Sequence, residues 1–380
     1  MKKSVLFLLW SVSLVFSTIN CSNKPIEPFL RETVVFKSGD DGYHTFRIPS
    51  LITTKKGTAL AICEGRKGSR SDTGNIDIVI KRSSDNGATW SAMEVIWDDG
   101  ENVCGNPCPV IDRDTGTIWL LLTHNLGIDS EREIMTGESE GTRTVWVMKS
   151  ADDGVSWSKP VEITQTTKRP EWTWYATGPG VGIQLKSGRL IIPCDYADRD
   201  SGEWGSHVIY SDDHGVSWKI GGVLFPKCNE CQVVERADGS VLINMRSYHG
   251  KNRRAIATST DGGITWSDIS HDETLVEPVC QASLLRYTFE KHHGKNRVVF
   301  SNPADTKRIK MTVRLSYDEC ITWPVSKLLY EGPSAYSCLT FLPNYTIGCL
   351  YEKGQENAYE TLTFAHFNLE WLSDGEDAVK

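Results

Sequence analysis

Long hydrophobic runs are nearly missing from this 380-residue chain. The one apolar stretch of any length, Val5 to Phe16, is too short to cross a bilayer as a helix, and no other segment is a better candidate. A basic balance is missing too. Against 41 Lys and Arg stand 49 Asp and Glu, for a net charge of −8. Nucleic acid is therefore a poor partner, since its binding needs a basic footprint. The same charge means that an anionic ligand would have to be attracted by a local cluster of Arg rather than by the field of the whole molecule. Helical periodicity is scarce, and no linker or low-complexity stretch divides the chain. The Cys228-x-x-Cys231 pair has no matching His/Cys set nearby, which argues against zinc or redox chemistry there.

Cysteine itself is not scarce. Ten Cys remain besides Cys21, and Cys63, Cys108, Cys194, Cys231 and Cys280 stand in apolar or motif contexts that suit free core thiols. The N-terminus runs Met1-Lys2-Lys3-Ser4, then the apolar stretch, then Ser17-Thr-Ile-Asn-Cys21, which is the plan of a signal peptide. The expectation is an export signal over residues 1–21, with the mature protein secreted, periplasmic or held on the cell envelope by a lipid on Cys21. That lipid would be its only tie to a membrane. Residues 22–380 are expected to form one domain.

What is abundant is a repeat. Ser-x-Asp-x-Gly-x-(Thr or Ser)-Trp occurs as Ser83 to Trp90, Ser150 to Trp157, Ser211 to Trp218 and Ser259 to Trp266. A fifth copy, Ser316 to Trp323, has Cys320 in place of Gly. Average residue frequencies give such an octet a chance rate of roughly one per million positions, so five copies are an architecture. Each follows a strand-like run, such as Ile76 to Arg82 or Met311 to Leu315. Each carries turn chemistry of its own: Asp to bond amides two residues on and Gly to supply a positive φ. Strand, stereotyped turn and strand, repeated at intervals of about 50–60 residues, read as blades of an all-β propeller, with room for six. Thr33 to Lys37 could pair with the run from Thr361 to Leu372 and close the ring. Cys320 leaves the left-handed turn in doubt for the fifth copy alone. The boxes are structural and carry no chemistry.

A second signal precedes the first box: Tyr43-His-Thr-Phe46-Arg47-Ile48-Pro49-Ser50. An Arg-Ile-Pro on the first strand followed by Asp boxes resembles the sialidase (neuraminidase) family, the secreted bacterial exo-sialidases above all, from about residue 40 to residue 352. The resemblance implies a six-bladed β-propeller that hydrolyses terminal α-linked sialic acids on glycoproteins, glycolipids or oligosaccharides, with no metal and no cofactor. Three Arg from separate blades would grip the sugar carboxylate, because a planar, permanently charged fork suits a carboxylate. They match Arg47, Arg246 in Asn244-Met-Arg246-Ser247, and Arg308; Arg314 is the competing choice for the third, since Lys310 stands where the family often has Asn. Asp72, on a Gly- and Ser-rich loop, resembles the general acid, while Asp77 reads as structural. Arg66 would bond a ring hydroxyl. Tyr336 resembles the nucleophile, with Glu230 as the base that takes its proton. Glu352 resembles the carboxylate that holds the first Arg. Asn106-Pro-Cys-Pro109 and Trp172 to Gly180 match loops expected to line the acyl and glycerol pocket, although Val181 replaces a frequent His. Two other functions stay open at this stage: transfer of the sugar to an acceptor, and non-catalytic glycan binding by an Asp-box propeller. Asn344-Tyr-Thr346 also fits a glycosylation sequon, a weak signal.

Overall fold

The computed structural model describes residues 27–379. The export signal expected over residues 1–21, with Cys21, lies outside them. Six antiparallel blades surround an axis. Blade I comprises Thr45–Thr53, Ala59–Arg66, Ile76–Ser83 and Glu94–Trp97. Blade II comprises Val103–Ile111, Ile118–Asn125, Thr144–Ser150 and Val161–Glu162. Blade III starts at Trp172–Thr177 and continues through Leu190–Asp198, Trp204–Ser211 and Lys219–Leu224. Blade IV runs from Cys228–Glu235 through Val241–Ser247 and Arg253–Ser259 to Ser270–Val276. Blade V holds Ser283–Thr288, Arg297–Pro303 and Ile309–Ser316. The long strand Val325–Leu342 serves two blades. Its first part pairs with Ile309–Ser316 and its second with Thr346–Lys353, so it opens blade VI.

Blade VI is closed by both ends of the described chain. Leu30–Lys37 pairs antiparallel with Thr361–Phe367, from Leu30 opposite Phe367 to Lys37 opposite Thr361. The ring therefore closes by main-chain hydrogen bonds between the two termini, as the terminal runs implied. The expected second run is shorter than its sequence suggested, because Leu369–Leu372 turns into a helix capped by the Asn368 side chain.

The repeated turns explain how neighbouring blades lock. In each box the Ser hydroxyl accepts from the Gly-position amide and the Asp carboxylate accepts from the Thr or Ser amide; in the first, Gly87 N to Ser83 Oγ is 2.8 Å and Thr89 N to Asp85 Oδ1 is 2.9 Å. These bonds, from Thr89 above all, hold the exposed Asp85 carboxyl down to about 2. Each turn rests on the preceding blade. A side chain at Gly87 would strike Phe364 of blade VI, one at Gly154 would strike Leu60 of blade I, and one at Gly215 would strike Trp119 of blade II. Glycine is required there for close approach as well as for its positive φ. The fifth turn keeps the same geometry without it. Cys320 takes φ 70° and its amide still reaches Ser316 Oγ at 2.9 Å. The strain of about 1–2 kcal/mol is offset by burying the thiol against Val234 and Leu242 of blade IV. All ten described Cys are free and buried, Cys228 and Cys231 included.

Candidate active site

The first strands of the blades line the axis, and five of the six share one irregularity. Their register shifts between Arg47 and Ser50, Gly105 and Cys108, Trp172 and Tyr175, Cys228 and Cys231, and Ser334 and Ser337. A bulge re-aims side chains that would otherwise alternate in and out of the sheet. Arg47, Asn106, Trp174, Glu230 and Tyr336 all sit on these bulges, and all line one polar cavity of about 320 Å³. Two bulges show in the sequence as proline inside a strand, Pro49 and Pro107. Their neighbours pay in backbone strain: Ile48 has φ 59° and Asn106 φ 51°.

Three guanidinium groups meet at one side of this cavity. Arg47 Nε donates to Glu352 Oε1 at 3.0 Å. Glu352 is fully buried behind it and also accepts from the Ile48 amide at 3.2 Å and the Tyr336 amide at 3.0 Å. One carboxylate thus fixes Arg47, the strained Ile48 and the Tyr336 backbone together. Arg246 comes from the second strand of blade IV, and its Nη1 lies 2.8 Å from Glu230 Oε2 and 3.2 Å from the Tyr336 hydroxyl. Arg308 enters from blade V, with its Nη1 2.8 Å from the Tyr359 hydroxyl. The Tyr336 ring lies 5.1 Å from the Arg47 and 5.6 Å from the Arg308 guanidinium carbon. Arg314, the alternative third Arg, lies outside this cavity, with its Nη1 3.2 Å from Asn302 Oδ1.

The Tyr336 hydroxyl donates to Glu230 Oε1. Burial, followed by the Glu230 charge, pushes this phenol well above its ordinary value against the pull of Arg246, Arg308 and Arg47, so it rests protonated. Across the cavity, Asp72 Oδ1 lies 2.6 Å from Arg66 Nη2 and 3.9 Å from Arg47 Nη1. Burial works to raise this carboxyl, and the Arg66 and Arg47 charges outweigh it, so Asp72 rests below the usual carboxylate range. Its side chain is nonetheless 48% exposed on its loop, open to a ligand from solvent. Asp77 is occupied elsewhere, accepting from the Tyr43 hydroxyl at 2.5 Å and pairing with Lys67 at 3.1 Å.

Several groups in the wall had no motif to mark them. Glu64 anchors Arg66 and accepts from the Asn106 amide at 2.8 Å. Arg143 donates to the Asn106 side-chain oxygen and stacks on Trp174 at 3.9 Å. Asp195 receives Asn229 Nδ2 at 3.0 Å, and burial followed by the Glu230 charge raises its carboxyl well above the usual carboxylate range. The Ser130-x-x-Glu133 capping box that starts the helix Glu131–Thr136 was visible in principle, and this helix brings Glu131 to the rim. Trp204 and Tyr248 stack at the mouth with ring centres 6.2 Å apart. Among the described residues, Arg143 Nη1, Arg246 Nε and Asp195 Oδ2 are buried without a protein partner, which suits a polar ligand. Val181 does not belong here. It lines a second, more apolar cavity at the far end of the axis with Leu51, Val110 and Leu339.

Six four-stranded blades, five of them with Asp-box turns, and a charged axial cavity built on their bulges define a propeller of BNR repeats. A model described as the BNR repeat-like domain matches residues 57–351. A sialidase of Bacteroides fragilis is 35% identical over 334 residues, 83% of this chain and 61% of its own length. An exo-alpha-sialidase of Aspergillus fumigatus is 31% identical over 402 residues, covering 94% of each chain. The solved Hadza microbial sialidase Hz136 superposes with a TM-score of 0.83 at 35% identity, over 90% of this chain and 69% of that one. The chain belongs to the sialidase family. It spans about three fifths of the bacterial relative's length.

Proposed function

We propose that the protein is a retaining exo-α-sialidase that releases terminal sialic acid from glycoproteins, glycolipids or oligosaccharides. The observation that carries this reading is the Tyr336 hydroxyl bound to Glu230 beside Arg246, in the cavity where Arg47 and Arg308 also converge. The carbon under attack in a sialoside bears a carboxylate. A carboxylate nucleophile would be repelled by it, whereas a neutral phenol is not. The phenol is weak at its raised pKa, so Glu230 must take its proton as the oxygen attacks. Arg47, Arg246 and Arg308 hold the substrate carboxylate. Asp72 protonates the departing glycosidic oxygen, then deprotonates the water that opens the sugar–Tyr336 bond.

Two displacements give net retention. With sialyllactose, proton NMR should show α-sialic acid first, followed by mutarotation. Early β-anomer would overturn the covalent route, and no release from any sialyllactose isomer would overturn the activity. Disialyllactose, formed with release of lactose, or other transfer products would instead place the protein among enzymes that use a sugar acceptor.

The choice of third Arg is tested separately. Arg308→Lys replaces a planar fork with a point charge and is expected to lower kcat/KM by at least about tenfold. Arg314→Lys should leave KM near wild type. The reverse pattern would show that Arg314 holds the carboxylate.

A further inference from the structure

We propose that Lys168 is a positioning residue for substrate binding: from behind the cavity wall its ammonium ties together the segments that carry Arg143 and Trp174. The proposal rests on the sialidase reading. Lys168 follows the short helix Thr164–Thr167, is buried, and does not line the cavity. Its Nζ donates to Thr142 Oγ1 at 2.9 Å, the Arg143 carbonyl at 2.5 Å and the Thr173 carbonyl at 2.7 Å. An ammonium has three donors, and all three are used. Thr142 and Arg143 lead into the third strand of blade II, whereas Thr173 lies on the first strand of blade III. One side chain therefore pins two blades at the residues next to the wall.

What it pins faces the ligand. Arg143 reaches Asn106 and stacks on Trp174, leaving its buried Nη1 as a donor without a protein partner. A slip between the two blades would move that donor and the indole face against each other. Stability does not account for the lysine. The charged groups that face it are Arg143 and Arg199, both cations, and burial with these two like charges brings the amine down to about 7. A Lys lowered in the folded state opposes folding increasingly as pH falls from its ordinary value of 10.5 to about 7, the interval in which the unfolded chain holds its proton and the folded one does not, and the full cost remains below that. A buried cation without a counter-ion, yet with three acceptors, is a geometric device.

The charged form is the one that fills all three bonds. The neutral amine has two N–H groups for three acceptors, so the wall should loosen as pH rises through about 7. With sialyllactose, wild-type KM is expected to climb about fivefold across that interval, the factor of one lost hydrogen bond. Lys168→Met should raise KM by about tenfold on the acid side, abolish the step and leave kcat within about twofold. Thr142→Ala, at an exposed site, removes one acceptor and should raise KM by about twofold to fivefold. A folded Lys168→Met with wild-type KM, a fall in kcat at unchanged KM, or a pH step that persists in the variant would each overturn the proposal. Should Lys168→Met not fold, Thr142→Ala decides: a raised KM supports the role and a wild-type KM overturns it. Absence of wild-type turnover would appear before any variant is compared; it would overturn the sialidase reading, and this proposal would fall with it.

Discussion

Tyr336→Phe is expected to lose on the order of 10³-fold or more in kcat on sialyllactose while folding normally. The variant removes one oxygen from a ring packed among Ile48, Cys280, Ala335 and Ala358, and leaves that packing intact. Arg246 and Glu230 keep their 2.8 Å pair, so no buried charge is stranded. What disappears is the hydroxyl proposed to bond to the sugar. A fluorinated sialosyl donor, whose intermediate forms faster than it breaks down, should attach to the peptide containing Tyr336 in the wild type and to nothing in the variant. Labelling of the Phe variant, or of the peptide containing Glu230, would mean that another group attacks. Loss of activity together with a large drop in Tm would point to packing instead, which is why the thermal midpoint belongs in the same experiment.

The second large effect falls on Asp72. Asp72→Asn should lower kcat/KM for sialyllactose by about 10²- to 10⁴-fold, the usual reach of general acid catalysis, and cost activated aryl sialosides far less. A sugar leaving group needs a proton and an aryloxide does not. The pH dependence follows from the resting state. Arg66 and Arg47 hold the Asp72 carboxyl below its ordinary range, so the protonated form grows only as pH falls through that lowered value. Wild-type kcat/KM for sialyllactose should therefore decline as pH rises past it, while aryl sialosides stay comparatively level. The Asn variant should lose the difference between the two profiles. Equal losses on both substrates would show that Asp72 binds or shapes the site without donating a proton.

Part of this was legible along the chain. Five Asp boxes settle a propeller because their bonds are local: Ser, Asp and the Gly-position amide lie within eight residues, and the turn forms wherever the octet occurs. Even Cys320 conforms, since the bonds around Ser316 and Asp318 outweigh its left-handed strain. Short motifs around Arg47, Asp72, Glu230, Arg308 and Tyr336 could be singled out for the same reason, each being a contiguous string.

The rest depended on distance in space. Tyr336 and Glu230 are 106 residues apart and Arg47 and Glu352 are 305 apart; only ring closure brings each pair within hydrogen-bond reach. Arg308 and Arg314 could not be told apart in sequence because one immediately precedes the strand Ile309–Ser316 and the other lies within it; in the structure Arg308 lines the cavity and Arg314 lies against Asn302. Arg143, Asp195 and Lys168 had no motif at all. Their importance comes from burial and from partners on other blades, quantities that a linear string does not contain. The sequence by itself determined the repeating local turns and hence the kind of ring. The tertiary structure alone decided which charges share a cavity, because the bulges that turn them inward act together only once six blades close around one axis.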